Sequence, residues 1–540
     1  MKTTDRHFES PPRGATIGVE MAAFTAIRFG STTIWPNYGA CVMRMRMDFS
    51  SPPAQTPKAS QGQRRVIARN FLSLSAASLA GRLVALVTGI YTRRVLGVVA
   101  IGQLSWCASL LSYFTLLINP GLETIAKRDV AREPHQAGRC VSLLLTLQLI
   151  LALVAFAMVA LFAILGLRGP QISLILALQA IGLLLLPLNL TWLLHARERM
   201  APAALVEVVS QLLLLPAVVL FVHSPSHVVR YVLLAYPLRI AAIVFLVWYA
   251  RRQGLVRWDE IRLTLTGATP LLRAAIPLGF SQVAVLLYYN FDAIFLGFTR
   301  GDEVVGLYST AYNLMIVPMF LSSSLTSAYF PALSRALNDT ERCQQVSREF
   351  LRVLVWIGFP IAAAGWAAGR YAVDLMYGSA YAGSGILFEW LILNIGLVFF
   401  NVGLAQPLTA WDCQKIYFKI TALAAAANVG LNIILIPRYG AAGAVFTTLL
   451  AEFIVAIGAL MVRARVVRIP VFRIVYPPLL CSAALAMVVR GAVVFLGLPW
   501  WAALALGLSL FAAGFWLLER ETILGVLRRI WRVPEKSPQP

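Results

Sequence analysis

The sequence predicts an all-α integral membrane protein: about fourteen transmembrane helices, in two six-helix lobes around a central cavity, plus two C-terminal helices. Three observations carry this. The 540 residues are 59% hydrophobic and only 13% charged, with a mean hydropathy of +0.75, whereas a soluble domain is about 45–50% apolar and about 25% charged. Apolar runs of about 20 residues, the length that crosses a bilayer core, recur along most of the chain. The basic residues behind a formal net charge of +22 alternate in density from loop to loop. Together these exclude a water-soluble domain and wholesale disorder.

Residues 1–62 stand apart. They mix Pro, Ser, Gln and charge without a long apolar run, so a disordered extension is expected. They contain no apolar core followed by a small-residue cleavage site. Met43, Met45 and Met47 allow a start further along the chain. From Phe71 onward, hydropathy places spans near 71–91, 101–118, 141–166, 172–194, 202–222, 228–249 and 271–296. The remainder fall near 306–330, 350–368, 386–410, 416–436, 441–462, 474–496 and 500–518. The lobes are expected over 63–265 and 266–465, the two extra helices over 466–520, and a basic tail over 521–540.

Charge tests the count independently. With the N-terminal flank inside, the inside loops carry about 29 basic residues and the outside loops about 8. One missed or invented helix would scramble that asymmetry, so fourteen spans with both termini cytoplasmic are expected. The outside set is Arg93, Arg94, Arg168, Arg230, Arg300, Arg370, Arg438 and Arg490. The basic residues fall as short clusters on every inside turn, without a single stripe interleaved with aromatics, which argues against a nucleic-acid partner. Anionic lipid of the cytoplasmic leaflet accounts for them. Six cysteines stand singly, without a CxxC pair, and five histidines form no cluster. Neither a disulfide framework nor a metal site or other cofactor is expected.

The chain repeats itself. Arg94-Val-Leu-Gly97 and Ile101-Gly102-Gln-Leu-Ser105 follow the first span; Ile294-Phe-Leu-Gly297 and Val305-Gly306-Leu-Tyr-Ser309 follow the seventh. The offset is about 200 residues, or six spans, so the two halves share one orientation.

A charge inside a span is costly and marks a partner or a pathway. Arg82 sits midway along the first span. Its guanidinium cannot be neutralised and suits phosphate. It needs either an anion-accepting cavity or an ion pair with Glu207 or Glu452. Arg239, beside Pro237 on the sixth span, either contacts substrate or snorkels to the cytoplasmic surface. Asp292, near the end of the seventh, is either a site residue or an interfacial carboxylate. Glu452, on the twelfth, is a buried partner or a titrating group, and with Glu207 is a candidate for coupling. Asn290, Gln406 and Tyr289 are polar companions that could line the pathway. Tyr288, Tyr289, Tyr308 and Tyr312 cluster where they could stack on sugars or form an interfacial belt. No GxxxxGK[ST], GxSxG or HExxH is present, and no catalytic residues are assigned. The longest loops are only about 20 residues. Uphill transport must then draw on an ion gradient of H+ or Na+, the substrate's own gradient, or a partner.

Five strings are suggestive in combination: LLRAAIPLGFSQVAVLLYYNFDAIFLGFTRGDEVVGLYSTAYNL from Leu271, YTRRVLGVVAIGQLS at 91–105, AKRDVARE at 126–133, TWLLHARERM at 191–200, and NVGLNIILIPRYGAAGAVFTTLLAE at 428–452. From about Arg65 to the fourteenth span the chain resembles bacterial polysaccharide-biosynthesis flippases. These are O-antigen and lipid-linked oligosaccharide exporters of the multidrug/oligosaccharidyl-lipid/polysaccharide superfamily. The resemblance implies alternating access in the bacterial inner membrane. It also implies a cationic cavity that accepts the pyrophosphate and glycan of an undecaprenyl-linked repeat unit, with Arg82 as a cavity arginine. Polymerase or glycosyltransferase partners would accompany that role. No second cavity arginine is evident on the seventh or eighth span: either Arg239 substitutes or phosphate binding is weaker. A cation-coupled multidrug antiporter and a membrane glycosyltransferase or polymerase are the alternatives.

Overall fold

The computed structural model describes residues 61–531, apart from 338 and 412, with side chains from 79 to 520. The extension expected over 1–62 falls, but for its last two residues, outside them, as do residues 532–540. Among the described residues the chain is helical throughout, and every hydrophobic run becomes a helix because a bilayer leaves backbone N–H and C=O groups no partner but each other.

The first helix, α1 (Gln61–Ile118), contains two spans. Its apolar stretch Leu79–Ile118 is 40 residues long, or about 60 Å as a single helix, twice the hydrocarbon thickness. Gly97 breaks it at φ 77, a conformation only glycine adopts freely. Contacts show that both arms run back from this break. Arg93 and Gly102, on opposite arms, both meet the segment 302–310. Arg82 lies against Phe320, and Tyr113 reaches Leu286, each farther from the turn. Of thirteen helices long and apolar enough to cross a membrane, this one therefore crosses twice, and the expected fourteen spans are present.

The remaining helices follow the predicted order: α2 (Leu122–Arg132), α3 (Ala137–Ile164), α4 (Pro170–Leu185), α5 (Thr191–Ala196), α6 (Met200–Phe221) and α7 (Val228–Arg252) in the first half. Then come α8 (Ala268–Arg300), α9 (Asp302–Leu314), α10 (Ile316–Arg335), α11 (Thr340–Tyr377), α12 (Ala382–Leu391), α13 (Leu393–Ala410), α14 (Gln414–Tyr439) and α15 (Ala441–Val466). Finally α16 (Val471–Leu496) and α17 (Trp500–Trp531) pack beside α11. The span expected at 350–368 is part of a 38-residue helix, α11. The span expected at 306–330 is interrupted at Met315, between α9 and α10.

The repeat is real, but in a different register from one of its two strings. Gly301, at φ 87, separates α8 from α9 as Gly97 separates the arms of α1. The structural pairs are thus 97 with 301 and 102 with 306. The Ile101–Ser105 and Val305–Ser309 strings keep this register, whereas aligning Gly97 with Gly297 is four residues off, about one helical turn. The two repeats meet at their glycines. A Cβ on Gly102 would lie 1.8 Å from the Asp302 carbonyl oxygen, and one on Gly306 would lie 2.1 Å from that of Val98. This crossing joins the halves at the end opposite the basic loops. There Arg168 pairs with Asp302 at 2.6 Å, Gln103 Nε2 donates to the same carboxylate, and the Arg168 guanidinium lies over Trp106.

Most arginines expected in outside loops are held by the protein. Arg94 donates to the carbonyls of Leu375 and Met376, and Arg300 to those of Ile436 and Pro437, satisfying helix C-termini. Arg370 and Arg490 share Glu389.

Candidate functional site

The structure sorts the charged residues within the spans into three separate places. The largest is a cavity of about 1130 Å³, walled by the second arm of α1, by α2, α4, α6 and α7, and by the middle of α8. Four charged side chains line it: Glu123, Lys127, Glu207 and Arg239. Lys127 and Glu123 stand one turn apart on α2, towards the basic end. Glu207 lies about 10 Å along α6, and Arg239 near the middle of α7. Arg239 has room because α4 presents Gly182: a Cβ there would sit 2.8 Å from the guanidinium. Tyr236, one turn before Arg239, donates to the Leu178 carbonyl and joins α7 to α4. Arg239 is exposed within the cavity. Burial raises the Glu123 carboxyl above its ordinary value, and Lys127 opposes that rise. With two acidic and two basic groups, the cavity's fixed charges cancel. Arg82, the cavity arginine implied by the resemblance, does not line this space.

The second place is a cleft of about 230 Å³ between the first arm of α1 and α9, α10 and α11. Arg82 and Arg93 both line it. Eleven residues make almost three whole turns, so the two share a helix face about 16 Å apart. Arg82 stacks over Phe320 at 4.8 Å. It has no carboxylate within ion-pair distance among the described residues, so the expected pair with Glu207 or Glu452 is not formed. Arg93 donates through Nε to Thr310 Oγ1 at 3.1 Å and through Nη1 to the Gly89 carbonyl, and Tyr377 closes one side. Sequence reading placed Arg93 in an outside loop because it ended the first span at 91. Its spacing from Arg82 was the available signal.

The third place is the interior of the second half. Asp292, 2% exposed, accepts hydrogen bonds from Tyr308 OH at 2.7 Å, Thr448 Oγ1 at 3.3 Å and Asn432 Nδ2. Asn432 also donates to Asn428 Oδ1 and accepts from Thr447. Glu452 accepts from Tyr288 OH and Asn401 Nδ2, both at 2.6 Å. No basic side chain faces either carboxylate among the described residues. Asp292 is thus buried and lines neither space; Tyr308 is its buried partner, and Tyr288 a half-buried partner of Glu452. Asn290 donates to the Leu286 carbonyl, Tyr289 packs edge-on against Tyr288, and Gln406 is half-buried; none of the three lines either space.

This architecture, two repeated helical halves with a large cavity lined by apolar and polar groups, defines a transporter-like membrane protein. The chain belongs to the polysaccharide biosynthesis protein family, whose pattern matches residues 67–337. It is 23% identical over 186 residues to the capsular polysaccharide biosynthesis protein CapF of Staphylococcus aureus, covering 34% of this chain and 46% of that protein. It is also 23% identical over 372 residues to a putative O-antigen transporter of Shigella dysenteriae, covering 68% and 92%. The chain thus spans less than half of the first relative and nearly all of the second. Among solved structures, the lipid II flippase MurJ in an inward closed conformation superposes with a TM-score of 0.70 at 14% identity, over 84% of this chain and 100% of that one.

Proposed function

We propose that this protein is a lipid-linked oligosaccharide flippase of the bacterial inner membrane. It would carry an undecaprenyl-pyrophosphate-linked glycan from the cytoplasmic to the outer leaflet for surface polysaccharide synthesis, with its basic loops and both termini in the cytoplasm. The observation that carries the reading is Arg82 and Arg93, two guanidiniums on one face of the first span, lining a cleft between the halves with no carboxylate partner among the described residues. Unassisted flipping is negligible because sugars and phosphates would lose their hydration in hydrocarbon. The polar cavity offers the glycan replacement hydrogen bonds, with Arg239 among its contacts, and the arginine cleft offers the pyrophosphate charge-assisted ones. The lipid tail stays in the bilayer.

Coupling falls to the second half. Asp292 is a buried carboxylate ringed by Tyr, Thr and Asn groups without a cation, a setting in which a proton or monovalent ion exchanges protonation or ligation for conformation. This moves Asp292 from the substrate contacts to coupling, and leaves Glu207 in the cavity wall. Replacing Arg82 with Ala in proteoliposomes that carry a fluorescent polyprenyl-pyrophosphate oligosaccharide tests the reading. A retained flipping rate removes the cleft from the mechanism. Extension of the lipid-linked glycan from a sugar donor would instead favour a glycosyltransferase or polymerase.

A further inference from the structure

The chain carries a formal charge of +22, yet the cavity that would hold the glycan carries none in sum. Its charged lining is Glu123, Lys127, Glu207 and Arg239. No close ion pair between these four removes an acid and a base from play. Glu123 and Lys127 sit on the same face of α2, near the mouth, while Glu207 and Arg239 lie deeper on different helices. The rest of the polar lining is uncharged, including Gln179, Gln282, Tyr231 and Tyr236. Such groups pair with sugar hydroxyls in either direction and offer tyrosine faces to pyranose rings.

From this arrangement we infer that the glycan carried is uncharged or charge-balanced, and that Glu123 and Glu207 select against repeat units rich in uronic acids or phosphate-bearing sugars. The inference rests on the flippase reading and sharpens its substrate class. A carboxylated sugar entering the cavity meets Glu123 and then Glu207, which already offset Lys127 and Arg239, so no net positive charge compensates the sugar's lost hydration. In a space walled by protein and lipid, like charges repel far more strongly than in bulk water. Rejection by an unfavourable charge is an effective way to discriminate between ligands of similar size. The pyrophosphate common to all such lipids is not penalised, because the arginine cleft that suits it is separate from this cavity.

The experiment uses the full chain in proteoliposomes with two fluorescent polyprenyl-pyrophosphate oligosaccharides of equal length, one bearing only hydroxyls and one bearing a uronic acid on each sugar. The uncharged lipid should be flipped at least about tenfold faster, and a Glu123→Gln, Glu207→Gln double variant should narrow the ratio to about threefold or less. Equal rates, or faster movement of the anionic lipid by the unaltered chain, overturn the inference. So does a preference that survives the double substitution. If neither lipid moves, the flippase reading fails, and equilibrium binding of the two lipids to the detergent-solubilised chain then decides. Tighter binding of the uncharged one supports the cavity assignment, and equal or reversed affinity overturns it.

Discussion

The two halves of this protein repeat one another across a glycine crossing, yet one is hollow and the other is filled. In the first half, α4, α6 and α7 stand away from the second arm of α1, and the space between them is lined by Glu123, Lys127, Glu207, Arg239 and several uncharged polar groups. In the second half, the interior is filled by two hydrogen-bonded groups, Asp292 with Tyr308, Asn432 and Thr448, and Glu452 with Tyr288 and Asn401, with Asn401 Oδ1 and Asn428 Nδ2 left over. The same succession of spans therefore supports two kinds of interior. Polar groups on an open wall can pair with a ligand, whereas a packed network rigidifies and is costly to disturb. In the proposed mechanism, substrate is carried by the first half and the seam, and the second half sets the state of the seam.

The seam gives the largest expected effect. Gly102→Ala would set a Cβ 1.8 Å from a backbone oxygen, which cannot move aside as a side chain can. The crossing should fail to close, transport should fall more than about a hundredfold, and a cysteine introduced at Asn313 should become reactive to a membrane-impermeant thiol reagent. Gly430→Ala, where a Cβ meets nothing within 4 Å, is the matched control. If both variants transport equally, the halves do not need that contact.

Next comes the cleft. Each arginine that bonds a charged group contributes about 1.5–3 kcal/mol, so Arg82→Ala should slow flipping about tenfold and the Arg82→Ala, Arg93→Ala pair about a hundredfold. Thermal stability should change little for Arg82, whose side chain is exposed in the cleft. A large loss of melting temperature would mark it as structural. Asp292→Asn should then abolish the response to an imposed ion gradient while downhill exchange persists, a loss of about tenfold in the driven rate. Glu452→Gln should have less effect. An equal effect from both would dissolve the distinction between them.

The smallest effect is a pH dependence of selectivity. Burial places the Glu123 carboxyl above its ordinary range, with Lys127, Gln148 and Asn119 pulling it down. A raised acid gains its proton at a higher pH than exposed carboxylates do, so acidification neutralises Glu123 early and shifts the cavity mouth towards positive charge. The advantage of uncharged over anionic glycan should therefore shrink by a few-fold as pH falls from neutral, measured as the ratio of the two flipping rates. A ratio that grows on acidification would contradict the role given to this carboxylate.

Much of this was legible in the chain. Hydropathy located the spans because a bilayer demands about 20 apolar residues whatever their neighbours. The loop arginines fixed their number, and Ile101–Ser105 against Val305–Ser309 revealed the repeat in its true register. Arg82 and Arg239 were marked by the cost of an intramembrane charge alone. The rest was not legible, because a charge shows that a partner is needed but not which one. Asp292 and Arg82 looked alike in sequence; only packing gave one three donors and left the other facing an aromatic ring. Arg93 was hidden by a span boundary, and the cancelling charges of the cavity come from three helices that are distant in sequence. Composition and periodicity are local and set how many times the chain crosses the membrane. Whether a buried charge is satisfied depends on which helices meet, and that the tertiary structure alone decided.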